Sequence, residues 1–195
     1  MSATRFERAI QAFDRANSLD PQRELVDGIE RPRELVQAER LGKWIERVAP
    51  QASEALRLAA RCQHLRRWEI PRDSYPAGRS GYLKWRARLA EFHAQVSGEI
   101  LEQLGFDDAT IERVRRINLK QGLSRDAEVQ AMEDALCLSF LEHELETFAE
   151  KHDDPTLSRI LRKTWAKMSP QGRELVGELT LPERVRRLLE KALAT

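Results

Sequence analysis

Leu58–His93 reads LAARCQHLRRWEIPRDSYPAGRSGYLKWRARLAEFH. Apolar residues recur at helical spacing on both sides of its centre. Leu56, Ala59 and Ala60 lead up to Gln63-His64, and Tyr82, Trp85, Leu89 and Phe92 follow Gly81. Residues three and four apart share one face of a helix, so the pattern predicts helix, loop, helix. The middle is unusual in charge. Arg61, Arg66, Arg67, Arg72, Arg79, Lys84, Arg86 and Arg88 face only Glu69 and Asp73, a net of +6 in a chain whose formal net charge is +1. Trp68, Tyr75, Tyr82 and Trp85 lie among these cations, two of the four Trp and both Tyr. Such a concentration marks a site without saying what it does.

The same periodicity extends outward. Upstream, Phe6, Ala9, Ile10 and Phe13 predict a first amphipathic helix. Asn17–Pro32 reads as loop, punctuated by Asp20-Pro21 and Gly28. Pro32 suits the first turn of a helix, where its missing N–H costs nothing. That helix runs to about Val48 on Leu35, Leu41, Trp44, Ile45 and Val48, and Ser53–Leu65 is the next. Downstream, the helix from Gly81 reaches about Gly105 on Val96, Ile100 and Leu104. Asp107-Asp108 opens another with Ile111, Val114 and Ile117, and Gly122 breaks it. Asp126 to about His152 is the most apolar helix, and shorter ones are expected around Leu157–Met168, Gly172–Leu179 and Pro182–Leu193. No alternating β-branched run is long enough for a strand. The expectation is an all-α fold, one multi-helix domain over residues 1–195. Its loops fall at Asn17–Pro32, Arg66–Ser80 and Gly122–Arg125. Leu56, Leu89, Phe92, Met132, Leu136 and Phe140 are expected in the core.

Composition removes several classes. Charged residues make up 33% of the chain, with 33 Lys and Arg against 32 Asp and Glu. Bulk charge therefore does not draw polyanions, and any attraction to phosphate is local. Cys62 and Cys137, without a secretion signal at the N-terminus, point to a reduced, cytoplasmic protein. No stretch approaches the ~18 apolar residues of a membrane span. CxxC pairs, zinc-finger spacing, GxGxxG and the P-loop are absent from the sequence.

Some polar residues sit where apolar ones are expected. Asp134 shares a face with Leu138 and Leu141, and Glu133 with Leu136, Cys137 and Phe140. One of the two carboxylates therefore points to the core or a cleft, where it needs a partner. A structural ion pair with an arginine would serve, and so would a site role. His64 ends an Ala-rich helix at the mouth of the basic loop, and His93 follows Phe92. Each is either a hydrogen-bonded structural residue or part of the site. Arg66, Arg67, Arg72 and Arg79 have few local acids, and guanidinium forks match phosphate oxygens.

Four segments carry a family resemblance: AARCQHLRRWEIPRDSYPAGRSGYLKWR (Ala59–Arg86), EFHA (Glu91–Ala94), EDALCLSFLEHELETFAEKHD (Glu133–Asp153) and LRKTWAKMSPQGREL (Leu161–Leu175). From about Phe6 to Leu193 the chain resembles a bacterial and fungal family known as domain of unknown function 4202, which implies no activity. A weaker resemblance is to the HD superfamily of metal-dependent phosphohydrolases. These helical enzymes hold a divalent metal with a first His, a His-Asp dyad ending a helix, and a distant Asp. LAARCQHL sits where the dyad helix would be, and Asp134 lies seventy residues after His64. The dyad itself would read Gln63-His64, and the first His position falls near Gln37 or Glu39.

This second resemblance implies one divalent metal held by Glu39, His64, His93 and Asp134, with His64 and Asp134 as the catalytic pair. The metal would lower the pKa of a bound water for phosphoester hydrolysis. Arg66, Arg67, Arg72 and Arg79, with Tyr75 and Tyr82, would bind the ligand. The leading reading is an HD-like protein for a phosphorylated small molecule or nucleotide. The alternative is a non-catalytic module that binds RNA or a protein partner through the basic loop 61–88. On the leading reading at least two of the four arginines share a cleft with His64, and His64 approaches Asp134.

Overall fold

A computed structural model describes residues 3–193. Their regular structure is ten α-helices, two short 3-10 helices (Arg67–Glu69 and Arg72–Ser74) within the stretch expected as loop, and one two-stranded hairpin, so the fold is all-α. The helices are α1 (Arg5–Asn17), α2 (Arg33–Val48), α3 (Glu54–Cys62), α4 (Gly78–Gln103), α5 (Asp108–Asn118), α6 (Ala127–His143), α7 (Leu145–Ala149), α8 (Asp154–Lys167), α9 (Pro170–Val176) and α10 (Glu183–Leu193). Their starts follow from capping chemistry, because the first N–H groups of a helix lack internal partners. Thr4 and Glu7 form a reciprocal capping box on α1. Ser53, Asp107, Asp126, Asp153 and Ser169 cap α3, α5, α6, α8 and α9.

The segment Asn17–Pro32, expected as loop, contains a hairpin. Strand β1 (Arg23–Val26) pairs antiparallel with β2 (Ile29–Pro32), Val26 opposite Ile29. The turn is Asp27-Gly28, and both residues have positive φ, 51° and 80°. A two-residue turn of this hand matches the twist of the strands it joins, and Asp-Gly is among its preferred sequences. Two further boundaries differ from the sequence reading. α4 begins at Gly78 rather than Gly81, and the long apolar helix is interrupted at Glu144, between α6 and α7.

α6 lies at the centre, against α2 on one side and α9 and α8 on others. α3 packs on α2 and α5, α4 on α5, and α10 on α8. Phe13, Ile45, Leu56, Leu58, Leu101, Ile117, Met132, Leu138 and Leu141 are fully buried in one continuous core. Of the expected core, Leu56, Leu89 and Met132 are buried. Phe92 of α4 is only partly so, and so are Leu136 and Phe140, packed on the edge of the core because the deeper side of α6 is Val129, Met132, Ala135, Leu138 and Leu141. No helix among the described residues is long and apolar enough to cross a membrane.

Candidate functional site

The basic loop is held by α4. Trp85 donates its indole N–H to the carbonyl of Ile70 at 2.8 Å. Arg72 donates to the carbonyls of Tyr75 and Pro76 at 2.9 and 3.0 Å, closing the loop on itself. Gly81 lets the loop lie directly on the helix, since a Cβ there would fall 1.9 Å from the Pro76 carbonyl oxygen. At the other end, Arg66 takes a left-handed conformation with φ 56° and donates its backbone N–H to Asn17 Oδ1 at 3.1 Å. That turn follows α3, and His64 and Arg67 on either side of it face the start of α2.

There they meet Glu34. It occupies the first position of the α2 stripe that continues through Ala38, Leu41, Ile45 and Val48, and it is buried. Asp20, itself 1% exposed, fixes this helix start by accepting the Glu34 backbone N–H at 2.9 Å, a duty Pro32 cannot perform. His64 Nδ1 lies 3.8 Å from Glu34 Oε2, and Arg67 Nε lies 3.8 Å from Glu34 Oε1. Neither is within hydrogen-bonding distance. Arg67 stacks instead on Trp85, 4.9 Å from the ring centre. His93 comes from the middle of α4, with its ring 6.2 Å from that of His64. Its Nδ1–H donates to the Leu65 carbonyl at 2.8 Å, which leaves Nε2 as an acceptor.

Three acceptors of this region are buried without a partner: Glu34 Oε2, His93 Nε2 and Gln63 Oε1. Each such atom costs about 1–3 kcal/mol relative to a satisfied one. Such a cost is characteristic of a site that awaits a ligand or structural water. Burial pushes the Glu34 carboxyl up to about 7, although Arg67 and Arg33 pull it down. Burial also takes the His93 imidazole down to about 4. His64 is held well below the ordinary histidine range by burial, then by the positive charge of Arg67. Glu144 is raised by burial against the pull of Arg33 and Arg67. At neutral pH the cluster thus holds two neutral imidazoles, a carboxyl near its titration point, and a guanidinium with unused donors.

The structure brings together His64, His93 and Arg67 from the residues the sequence pointed to. It adds Glu34, with Arg33, Arg86 and Glu144 around it. The other expected residues have separate partners. Asp134 accepts from Ser169 N and Oγ at 2.8 and 2.5 Å and from Gln130 at 3.0 Å, anchoring the start of α9. Gly172 lies so close to it that a Cβ would fall 2.6 Å from Asp134 Cγ. Glu133 pairs with Lys120 and Lys167, lysines rather than the expected arginine. Glu39 takes both forks of Arg31 at 2.7 and 2.9 Å, tying the hairpin to α2.

Among the described residues no three His, Cys, Asp or Glu side chains are grouped to hold a metal ion. The set Glu39, His64, His93 and Asp134 therefore does not fit one shared ion. At least two of the four arginines are expected beside His64, and only one of them, Arg67, is there. Arg66 forms a bidentate pair with Glu69 at 2.5 and 2.8 Å, Arg72 clamps the loop backbone, and Arg79 is exposed at the start of α4. Tyr75 is half-buried, its carbonyl held by Arg72. Tyr82 is exposed and lies 5.9 Å from Trp85, ring to ring. An open depression lined by Asp154, Glu183, Arg184, Arg187 and Lys191 lies at α8 and α10, and both of its carboxylates are already paired, Glu183 with Arg187 and Asp154 with Lys191.

The arrangement defines an all-α protein with a buried polar centre where α2 begins and α3 ends, walled by α4. The chain belongs to the family described as Domain of unknown function (DUF4202), whose model matches residues 7–189. No curated protein and no solved structure is significantly similar to it.

Proposed function

We propose that the cluster of Arg67, His64, His93 and Glu34 binds a phosphorylated small molecule or nucleotide. The observation that carries this is Arg67, a largely enclosed guanidinium stacked on Trp85 whose nearest carboxylate is too far for a hydrogen bond. A guanidinium in that state offers a planar fork to a phosphate, and Arg86 adds positive field without occupying the same place. His64, two residues beyond α3, is where the resemblance to the HD phosphohydrolases would put their dyad. The proposal does not take over their metal, because the side chains that would hold it are engaged elsewhere. A thermal-shift panel of phosphate esters and nucleotides tests the reading. Members that bind raise the melting temperature of the wild type, and unphosphorylated counterparts do not. Equal shifts for both would remove the phosphate from the account.

A second reading has one observation in its favour. Arg79, Lys84, Arg86 and Arg88 are exposed along the first turns of α4 with Tyr82 among them, and Gly78–Arg88 contains no acid. Such a face would suit the non-catalytic module, with RNA phosphates as the partner and a steep salt dependence of binding.

A further inference from the structure

The unpartnered acceptors behind Arg67 say something about the rest of the ligand. Glu34 Oε2 and His93 Nε2 flank His64, the first 3.8 Å from its Nδ1, the second on a ring 6.2 Å away. Gln63 Oε1, on the residue before His64, is a third buried acceptor without a donor. No donor among the described residues reaches these atoms: His93 Nδ1–H is fixed on the Leu65 carbonyl, the Glu34 backbone N–H on Asp20, and the Arg67 fork stops 3.8 Å from the Glu34 carboxyl. What completes these atoms must bring hydrogen-bond donors with it.

The sign of the local field narrows the choice. Arg67 and Arg86 act on both histidines, and Lys120 acts on His64 as well. A cationic amine would enter against that field, whereas a neutral hydroxyl donates to the same acceptors without the penalty. A hydroxyl also keeps lone pairs that can accept from a neutral imidazole N–H of His64.

We infer that the ligand is a phosphate ester whose carbon skeleton bears free hydroxyl groups, with the phosphate on Arg67 and hydroxyls donating to Glu34 Oε2 and His93 Nε2. This rests on the phosphate-binding reading above and extends it to the ligand's body. Two sources share that chemistry: polyol or sugar phosphates, and the ribose phosphate of nucleotides.

Calorimetric titration of the full chain with matched pairs tests it. Glycerol 3-phosphate against propyl phosphate represents the polyol source. Adenosine 5′-monophosphate against its 2′,3′-dideoxy form represents the nucleotide source. The hydroxylated member of at least one pair binds about 10-fold tighter or better, the loss expected when buried acceptors lose their donor. The pair that shows it identifies the source. His93→Asn keeps a donor for the Leu65 carbonyl and removes the Nε2 acceptor. It narrows the gap within that pair to about 3-fold or less, and a gap that stays at about 10-fold overturns the inference that a hydroxyl donates to His93 Nε2. Arg67→Ala weakens both members together. Equal affinity within both pairs in the wild type overturns the inference and leaves the phosphate reading standing. Binding by no phosphate ester, or binding indifferent to Arg67→Ala, overturns both. If His93→Asn fails to fold, as judged by far-ultraviolet circular dichroism, the wild-type pairs decide alone.

Discussion

Glu34 carries the most information of any single residue. The sequence places it in the first turn of α2, where an acid is ordinary. Its signal was its position on the stripe Ala38, Leu41, Ile45 and Val48, a polar residue where the spacing wants an apolar one. That signal was readable, but the mouth of a helix is also where acids are common, so it did not stand out. Its titration gives a prediction. The folded value, about 7, lies above that of an unfolded glutamate. Between the two the folded state holds a proton that the unfolded chain has released, so this stabilisation is present at low pH and is lost as pH rises toward 7. His93 works the other way: its folded value of about 4 lies below the ordinary 6.5, so its neutral burial costs stability as pH falls through 6.5. The two partly offset in wild type below pH 6.5. Glu34→Gln separates them. Relative to wild type, the variant should gain about 1–3 kcal/mol between pH 5 and pH 8 in urea unfolding. A difference that stays constant across that range would mean that Glu34 titrates as an exposed carboxyl.

At the scale of elements, the helices were legible because capping residues and apolar spacing agreed. Thr4, Ser53, Asp107 and Asp126 stand just before periodic runs. The hairpin was not legible as strands, since RELV and IERP are short, polar and half-exposed. Its evidence was the turn dipeptide Asp27-Gly28, which fixes the pairing by backbone conformation rather than by hydrophobic pattern. The centre of α6 was placed slightly off. α6 buries Glu133, Asp134 and Ser139 among its apolar residues, which blurs the periodicity, so its deepest face cannot be picked from spacing alone. Two substitutions measure this. Met132→Ala, at a fully buried position, should cost about 2–5 kcal/mol in urea unfolding. Leu136→Ala, at the partly buried edge, should cost less, about 1–2 kcal/mol, because less of the side chain leaves contact. The reverse order would rotate α6 about its axis.

For the whole molecule, the lesson of the basic stretch is where its counter-charges come from. Counting acids near in sequence left it at +6. In the fold, Asp14 of α1 takes Arg61, Glu34 of α2 approaches Arg67, and backbone carbonyls take Arg72. The Arg66–Glu69 pair is local, as is the looser approach of Arg88 to Glu91 at 3.9 Å. The concentration of arginine in the sequence therefore overstates the number of cations without a partner in the fold. Arg61, Arg66 and Arg72 are engaged in holding the chain, Arg79, Lys84, Arg86 and Arg88 are exposed on α4, and Arg67 is the one facing the buried acceptors. Cys62 and Cys137 are both buried as thiols and have no part in the site. The distinction that matters most is between the enclosed guanidinium of Arg67 and the exposed cations of α4, because a phosphate could use either. Calorimetric affinity for one phosphate ester, compared among wild type, Arg67→Ala and Arg79→Ala, separates them. The account predicts a loss of about 10- to 100-fold for Arg67→Ala and less than about 2-fold for Arg79→Ala. Affinity that survives Arg67→Ala and falls in Arg79→Ala would contradict it and move the site to the surface of α4.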